Sequence, residues 1–248
     1  MQIPIEELSL FFPCHNEADN LDALVADALR ALPALAKRYE IILVDDGSTD
    51  TTATVAARIT QAHPNVVRVV RHDINLGYGA ALRTGFRESR YAWIAFTDGD
   101  RQFRVGDLAT LASSVSSQET VALGYRVKRA DPPLRAAYAS IYRIANRLFF
   151  GLSLRDVDCA MKLFPRSVLH GVAVESSGAF FSAELLIKLR ARGVRMVEVG
   201  VPHFPRVAGS ASGARLSVIA TAVRDFWSLR FALWFRRSLT LSRGVPLL

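Results

Sequence analysis

The chain has 248 residues, 50% hydrophobic, 9% aromatic and 22% charged, a composition that supports a full buried core and excludes a disordered polar chain. Lysine and arginine total 31 against 23 acids, a formal charge of +8 with a pI near 10.0. The excess is mostly arginine and thickens after residue 125, which points to anionic partners: phosphates, nucleic acid or an acidic membrane surface. Cys14 and Cys159 stand far apart in no CxxC or Cys/His cluster, against a disulfide framework or structural zinc and in keeping with a reducing cytosol.

The opening stretch MQIPIEELSLFFPCHNE carries early acids and no basic n-region, so no secretory signal is expected there. With no run of roughly 18 apolar residues, a spanning helix is not expected either, leaving a soluble or membrane-surface protein. Leu8 to Phe12 predicts a buried strand ended by Pro13, and Leu21, Leu24, Val25, Ala28, Leu29 and Leu32 recur at helical spacing up to Pro33. The alternation continues with a strand at Glu40 to Val44, a helix at Thr51 to Ala62, a strand at Val66 to Val70, a helix at Ala80 to Glu88 and a strand at Tyr91 to Thr97. A helix at Leu108 to Val115 and a strand at Thr120 to Gly124 follow. Such alternation predicts an α/β fold, Rossmann-like, with a mostly parallel sheet flanked by helices. Asp131-Pro-Pro133 then opens a segment rich in arginine and aromatics, read as a second lobe of the same domain.

Ligands of such sheets sit beyond the carboxyl ends of the strands. The loops predicted there are PCHNE (13–17), DDGSTD (45–50), HDINLGYG (72–79) and TDGD (97–100). In DDGSTD, Ser48, Thr49 or Asp50 serves to cap the next helix. Asp45 and Asp46 lack such a structural reason and suit a base or ribose hydroxyl. No GxGxxG follows the first strand, which disfavours NAD and FAD. In DGD, two carboxylates flank a glycine: alone this is either a solvated turn or a site for one hard cation, to which Gln102 would add an amide oxygen.

Together, FFPCHNE, VDDGSTD, NLGYGAALRTGF and FTDGDRQF resemble the family 2 glycosyltransferases of the GT-A fold. DVDCAMKLF (156–164), FFSAELL (180–186) and VPHFPRVAGSASG (201–213) are similar to the polyprenyl-phosphate, or dolichol-phosphate, mannosyl- and glucosyltransferase branch. The resemblance covers roughly residues 7 to 215. It implies a GT-A domain over 1–215, with a nucleotide half of about 1–105 and an acceptor half of about 106–215, and a C-terminal amphipathic helix over 216–248.

By that resemblance Pro13, Asn16, Glu17, Asp45 and Asp46 surround the nucleotide, Asp98 joins them at the sugar nucleotide, and Asp98, Asp100 and Gln102 hold Mg2+ or Mn2+ on the diphosphate. His15 stands where the family has an aromatic or small residue. Arg126, Arg135 and Arg206 are expected near the acceptor phosphate, with Ser210 as a hydroxyl donor. Asp158 is expected near the sugar and acceptor to orient the attacking oxygen, with Asp156 as the alternative; its apolar neighbours suggest a carboxylate too costly to bury idle. Asp158, Asp100, Arg126 and Arg206 form the expected catalytic set. Glu184, inside the helical pattern Phe181, Leu185, Leu186, Leu189, is expected either to bind sugar hydroxyls or to pair with an arginine.

The implied activity is an inverting, metal-dependent transfer of a hexose from a nucleotide sugar, GDP-mannose or UDP-glucose, to polyprenyl phosphate. The expected location is cytoplasmic, peripheral at the inner face of the cell membrane. The alternatives are a family 2 transferase using a sugar or protein hydroxyl, and a basic nucleic-acid-binding protein, for which RNP, KH and zinc-finger patterns are lacking. The stretch Ile219 to Leu241 interleaves Phe226, Trp227, Phe231, Trp234 and Phe235 with arginines. That pattern suits a membrane interface, a helix packed on the core, or a surface for a membrane protein or a second copy. The five histidines show no metal spacing, and none is assigned as a base.

Overall fold

The computed structural model describes residues 5–127, 133–207, 216–235 and 245–248. In chain order the elements are β1 (Glu7–Cys14), α1 (Ala18–Ala31), β2 (Arg38–Asp45), α2 (Thr52–Ala62), β3 (Val67–Arg71), α3 (Tyr78–Glu88), β4 (Trp93–Phe96), α4 (Leu108–Ser114) and β5 (Thr120–Arg126). Then come α5 (Pro133–Phe150), β6 (Lys162–Pro165), β7 (Ala173–Val174), α6 (Phe181–Ala191), β8 (Arg195–Val201), α7 (Leu216–Phe235) and β9 (Val245–Pro246). The predicted strands and helices of the first 125 residues all form, with ends shifted by a few residues.

Seven strands make one sheet in the order β3-β2-β1-β4-β6-β5-β8. β1 is parallel to both β2 and β4, and Leu8, Leu10, Phe11 and Phe12 are buried on its two faces. That double burial is why the strand reads as a continuous apolar run rather than an alternation. α3 packs closely on it because Gly85 meets the Phe11 ring where a Cβ would otherwise lie. Phe11, Phe86, Phe96 and Phe164 then close around one another with ring centroids 5.1 to 6.3 Å apart.

β6 departs from the alternating pattern. It runs antiparallel between β4 and β5, while β8 lies parallel to β5 at the edge. The reversal has a consequence for the site. The segment entering β6, residues 151–161, reaches the same edge of the sheet as the segments leaving β1, β2 and β4. An antiparallel strand thereby brings the DVDCAM loop to the ligand edge.

The expected helix over 216–248 is corrected at its end. α7 is described as far as Phe235, and residues 245–246 form not helix but β9, paired antiparallel with β7, with Leu247 fully buried and its N–H on the Val172 carbonyl at 2.9 Å. α7 itself packs on the core through Phe226 and Leu229, and Phe226 meets Phe149, Phe150 and Phe180. Its other face exposes Val223, Trp227, Phe231 and Trp234, and neighbouring α5 exposes Ile141, Ile144 and Leu148. No described helix is long and apolar enough to cross a membrane.

Candidate active site

The end of β1 is the hub. Asn16 sits at φ 56°, a left-handed conformation that asparagine tolerates, and its side-chain oxygen accepts the Thr49 N–H at 2.8 Å and the Asp50 N–H at 3.3 Å. Its own N–H donates to Ser48 Oγ at 2.9 Å. Asn16 therefore staples the first two predicted loops together. Ser48 serves that staple rather than the next helix, whose first N–H, from Thr52, goes to Asp50 at 2.9 Å. Pro13 is buried in the strand just before the hub.

Asp45 and Asp46 adjoin each other yet do different work. Asp46 accepts the N–H of Leu76 and of Gly77, each at 2.9 Å, and His72 Nδ1 at 2.7 Å. It holds the NLGYG turn in shape, where Gly77 adopts φ 99°. Asp45 accepts the Ser48 N–H through Oδ1, but its buried Oδ2 accepts no hydrogen bond; Arg71 Nε lies 3.3 Å away. A buried carboxylate oxygen left open in this way is a ready acceptor for a ligand N–H or O–H.

Asp98 and Asp100 leave the end of β4. Gly99 between them packs against Cys14 Sγ and the Pro13 carbonyl, both within 3.2 Å of where a Cβ would stand. This close packing folds the DGD turn onto β1. Asp98 accepts the Tyr78 hydroxyl at 2.9 Å, and its carboxyl is pushed up to about 7 by burial and then by the charge of Asp100. Burial also raises Glu17. The Cys14 thiol is pushed well up by burial and by Glu17, Asp45, Asp98 and Asp100 in turn. Four carboxylates thus converge on the end of β1, and Cys14 stays a protonated, inert thiol.

The loop 202–207 answers this charge. Phe204 is tied to Gln102 in both directions: its N–H donates to the Gln102 carbonyl at 2.9 Å, and Gln102 Nε2 donates to the Phe204 carbonyl at 3.1 Å. Arg104 stacks over the Phe204 ring at 4.4 Å. Arg206, two residues on, bridges Glu17 (Nη1 to Oε1, 3.1 Å) and Asp100 (Nη2 to Oδ2, 2.7 Å). Gln102, expected as a third metal ligand, has its amide nitrogen committed to this clamp. Arg206, expected at the acceptor phosphate, lies on Glu17 and Asp100.

Arg126, the other expected phosphate ligand, forms a two-pronged pair with Asp156 at 2.6 and 2.8 Å, with side chains 8% and 7% exposed. Asp158 corrects the reading of its neighbours: Val157, Cys159 and Ala160 face inward, but Asp158 is exposed. Its apolar flanks belong to the core while it faces out. Its charge still acts on Tyr78, Tyr142 and Lys162. Glu184 pairs with Lys188 at 2.6 Å and accepts the N–H of Glu175 and of Ser176, and its charge acts on Arg83. It shapes the loop whose Ser177 carbonyl takes the Gly79 N–H at the start of α3. Arg135 belongs to the described backbone of α5, its side chain lying outside the described residues, as does Ser210 entirely.

Tyr78 and Lys162 emerge from the fold. Lys162 is buried at the start of β6, its amine bonded to the Cys159 carbonyl and 5.4 Å from the Phe96 ring centroid. Burial lowers its pKa, while Cys159, Asp158, Asp156 and Asp98 hold it up. A lysine inside the apolar run AMKLF was the available signal. Tyr78 carried none, because only tertiary packing brings it to Asp98.

Asp98, half-buried, and Asp100, buried, repel each other, and their oxygens fit a hard divalent cation. No group of three or more His, Cys, Asp and Glu side chains arranged to hold a metal occurs among the described residues. The model of glycosyl transferase family 2 matches residues 9–172, a span that includes all of these acids except Glu184. The chain belongs to this family. As a family 2 glycosyltransferase it has relatives among lipid-phosphate enzymes: a dodecaprenyl-phosphate galacturonate synthase of Rhizobium johnstonii is 32% identical over 67% of the chain and 50% of its own length. A polyprenol monophosphomannose synthase of Mycolicibacterium smegmatis is 26% identical over 92% of the chain and 89% of its own. The chain spans only 40% of another, longer relative. Glucosyl-3-phosphoglycerate synthase of Mycobacterium tuberculosis, solved with Mn2+, UDP-glucose and phosphoglyceric acid, shares the fold of this glycosyltransferase at a TM-score of 0.65 and 18% identity, covering 90% of this chain and 80% of that one.

Proposed function

We propose that this family 2 glycosyltransferase moves a hexose from a nucleoside diphosphate sugar to a polyprenyl phosphate, with inversion and with Mg2+ or Mn2+ on the diphosphate. The observation that carries the reading is the Asp98 and Asp100 pair at the end of β4, Asp100 buried and Asp98 half-buried, on the same hub as the Asp45 oxygen that accepts no hydrogen bond. Asp98 and Asp100 would hold the cation, which when bound supplies Lewis-acid stabilisation of the charge growing on the leaving diphosphate. Asp45 takes a base or ribose donor group through Oδ2, and Asp46 and Asn16 hold the surrounding loops in shape.

The acceptor is already anionic at neutral pH, so it needs orientation more than deprotonation. One phosphate oxygen forms the new bond to the anomeric carbon as the bond to the diphosphate oxygen breaks, and that oxygen leaves with the electron pair. The exposed carboxylate of Asp158, acting on the same groups as Asp98, orients the sugar and attacking oxygen. The names and coverage of the Rhizobium and Mycolicibacterium relatives support the lipid-phosphate acceptor. The apolar faces of α5 and α7, with Arg143, Arg147, Arg224 and Arg230 on the same helices, suit the surface of an anionic membrane at the inner face of the cell membrane.

The test is a product assay with radiolabelled GDP-mannose, UDP-glucose and UDP-galacturonate, each with Mn2+ and undecaprenyl phosphate in detergent. Label is expected in an organic-extractable, mild-acid-labile product with one donor. Label that appears only on sugar or protein hydroxyls would overturn the acceptor assignment.

A further inference from the structure

One of the two carboxylates that would hold the cation, Asp100, already has a cationic partner. Asp100 uses Oδ1 for the Gln102 N–H at 3.1 Å and Oδ2 for Arg206 at 2.7 Å. The other prong of the same guanidinium rests on Glu17, whose second oxygen accepts Asn20 Nδ2 at 2.5 Å. A divalent ion held by Asp98 and Asp100 would compete with that guanidinium for Asp100 Oδ2, because two cations on one carboxylate oxygen repel each other.

The anchoring of Arg206 allows movement. Phe204 is fixed by Gln102 and Arg104, but Val207, one residue beyond Arg206, is 67% exposed, and the Arg206 side chain is a quarter exposed. A long side chain can change partners through its own torsions while its root stays in place.

We propose that Arg206 is an exchangeable counter-ion of the acidic hub at the end of β1: it neutralises Glu17 and Asp100 until a divalent cation arrives, and the cation then displaces its guanidinium. Arginine suits the task, since its planar fork bridges two carboxylates at once. This inference rests on Asp98 and Asp100 being the cation site, so the test reports on the two separately.

Mn2+ alone is titrated into the full chain and free Mn2+ is read by electron paramagnetic resonance, with wild type, Arg206→Met, Arg206→Ala, Asp98→Asn and Asp100→Asn. The two Arg206 variants are expected to bind Mn2+ about tenfold more tightly than wild type, having lost the internal competitor, and both aspartate variants to lose most binding. Mn2+ affinity unchanged or weakened in both Arg206 variants, with binding still lost in the aspartate variants, would overturn the exchange and leave the metal site standing. Binding unaffected by Asp98→Asn and Asp100→Asn would overturn both.

Discussion

Replacing Arg126 by Met separates a holding role from a phosphate-binding role. The Arg126 side chain forms two short bonds to Asp156 with both partners more than nine-tenths buried, and its backbone N–H lies 3.3 Å from the same carboxylate. Removing one partner of such a pair costs about 3–5 kcal/mol, because the remaining charge stays in a poorly solvating place. For a chain of this size each kcal/mol moves the melting temperature by about 2–4 °C, so the expected fall is roughly 6–20 °C. The Arg58–Asp22 pair is the control: its side chains are 60% and 62% exposed, and Arg58→Met should change stability by less than about 1 kcal/mol. Calorimetry of Arg126→Met, Asp156→Asn and the double variant provides the measurement. The double variant should lose less than the sum of the singles, since no lone charge remains. An unchanged melting temperature for Arg126→Met, with a raised KM for polyprenyl phosphate, would refute the reasoning and make Arg126 an acceptor ligand.

Mn2+ binding should depend on pH through Asp98. Its folded pKa is raised to about 7 by burial and Asp100, so the fold favours the protonated form; this contribution to stability is fully present below the ordinary Asp range and is lost as pH rises through 7. A cation needs the carboxylate, so Mn2+ affinity should fall by up to about tenfold per pH unit below 7 and level off above 8; titrations at pH 6, 7 and 8 giving equal affinity would contradict this. Gly85→Ala should destabilise by about 1–3 kcal/mol in urea, because its Cβ overlaps the Phe11 ring. Asp46→Asn should weaken nucleotide binding indirectly: it disturbs the turn at Leu76 and Gly77, and hydrogen exchange at those two amides should rise with it. Trp227→Ser combined with Trp234→Ser, two exposed aromatics of α7, should reduce co-sedimentation with anionic vesicles severalfold while leaving Mn2+ affinity unchanged.

The alternating first half was legible in the sequence because buried parallel strands are apolar on both faces and stand out as runs, as Leu8 to Phe12 and Ile41 to Val44 do. β6 was not: four residues that begin with a lysine and end with a proline carry no strand periodicity, and only pairing with β4 and β5 makes them one. The positions of Asp45, Asp98 and Asp100 followed from strand ends, since a chain leaving a buried strand must turn at the ligand edge. Which carboxylate oxygen stays open did not follow. Asp46 is satisfied by His72, Leu76 and Gly77, groups 26 to 31 residues away, while Asp45 Oδ2 accepts no hydrogen bond and faces Arg71 at 3.3 Å.

The same limit governs the arginines and Asp158. The sequence by itself determined that acids cluster at one sheet edge and that arginines crowd the later half, because residue type and strand-end spacing are local properties. Only the tertiary structure decided that Arg126 belongs to Asp156, that Asp158 faces outward between inward-facing neighbours, and that Arg206 reaches back 106 residues to Asp100 and 189 to Glu17. Charge pairing depends on distance through space, and in this fold an antiparallel strand and a loop clamped by Gln102 set those distances.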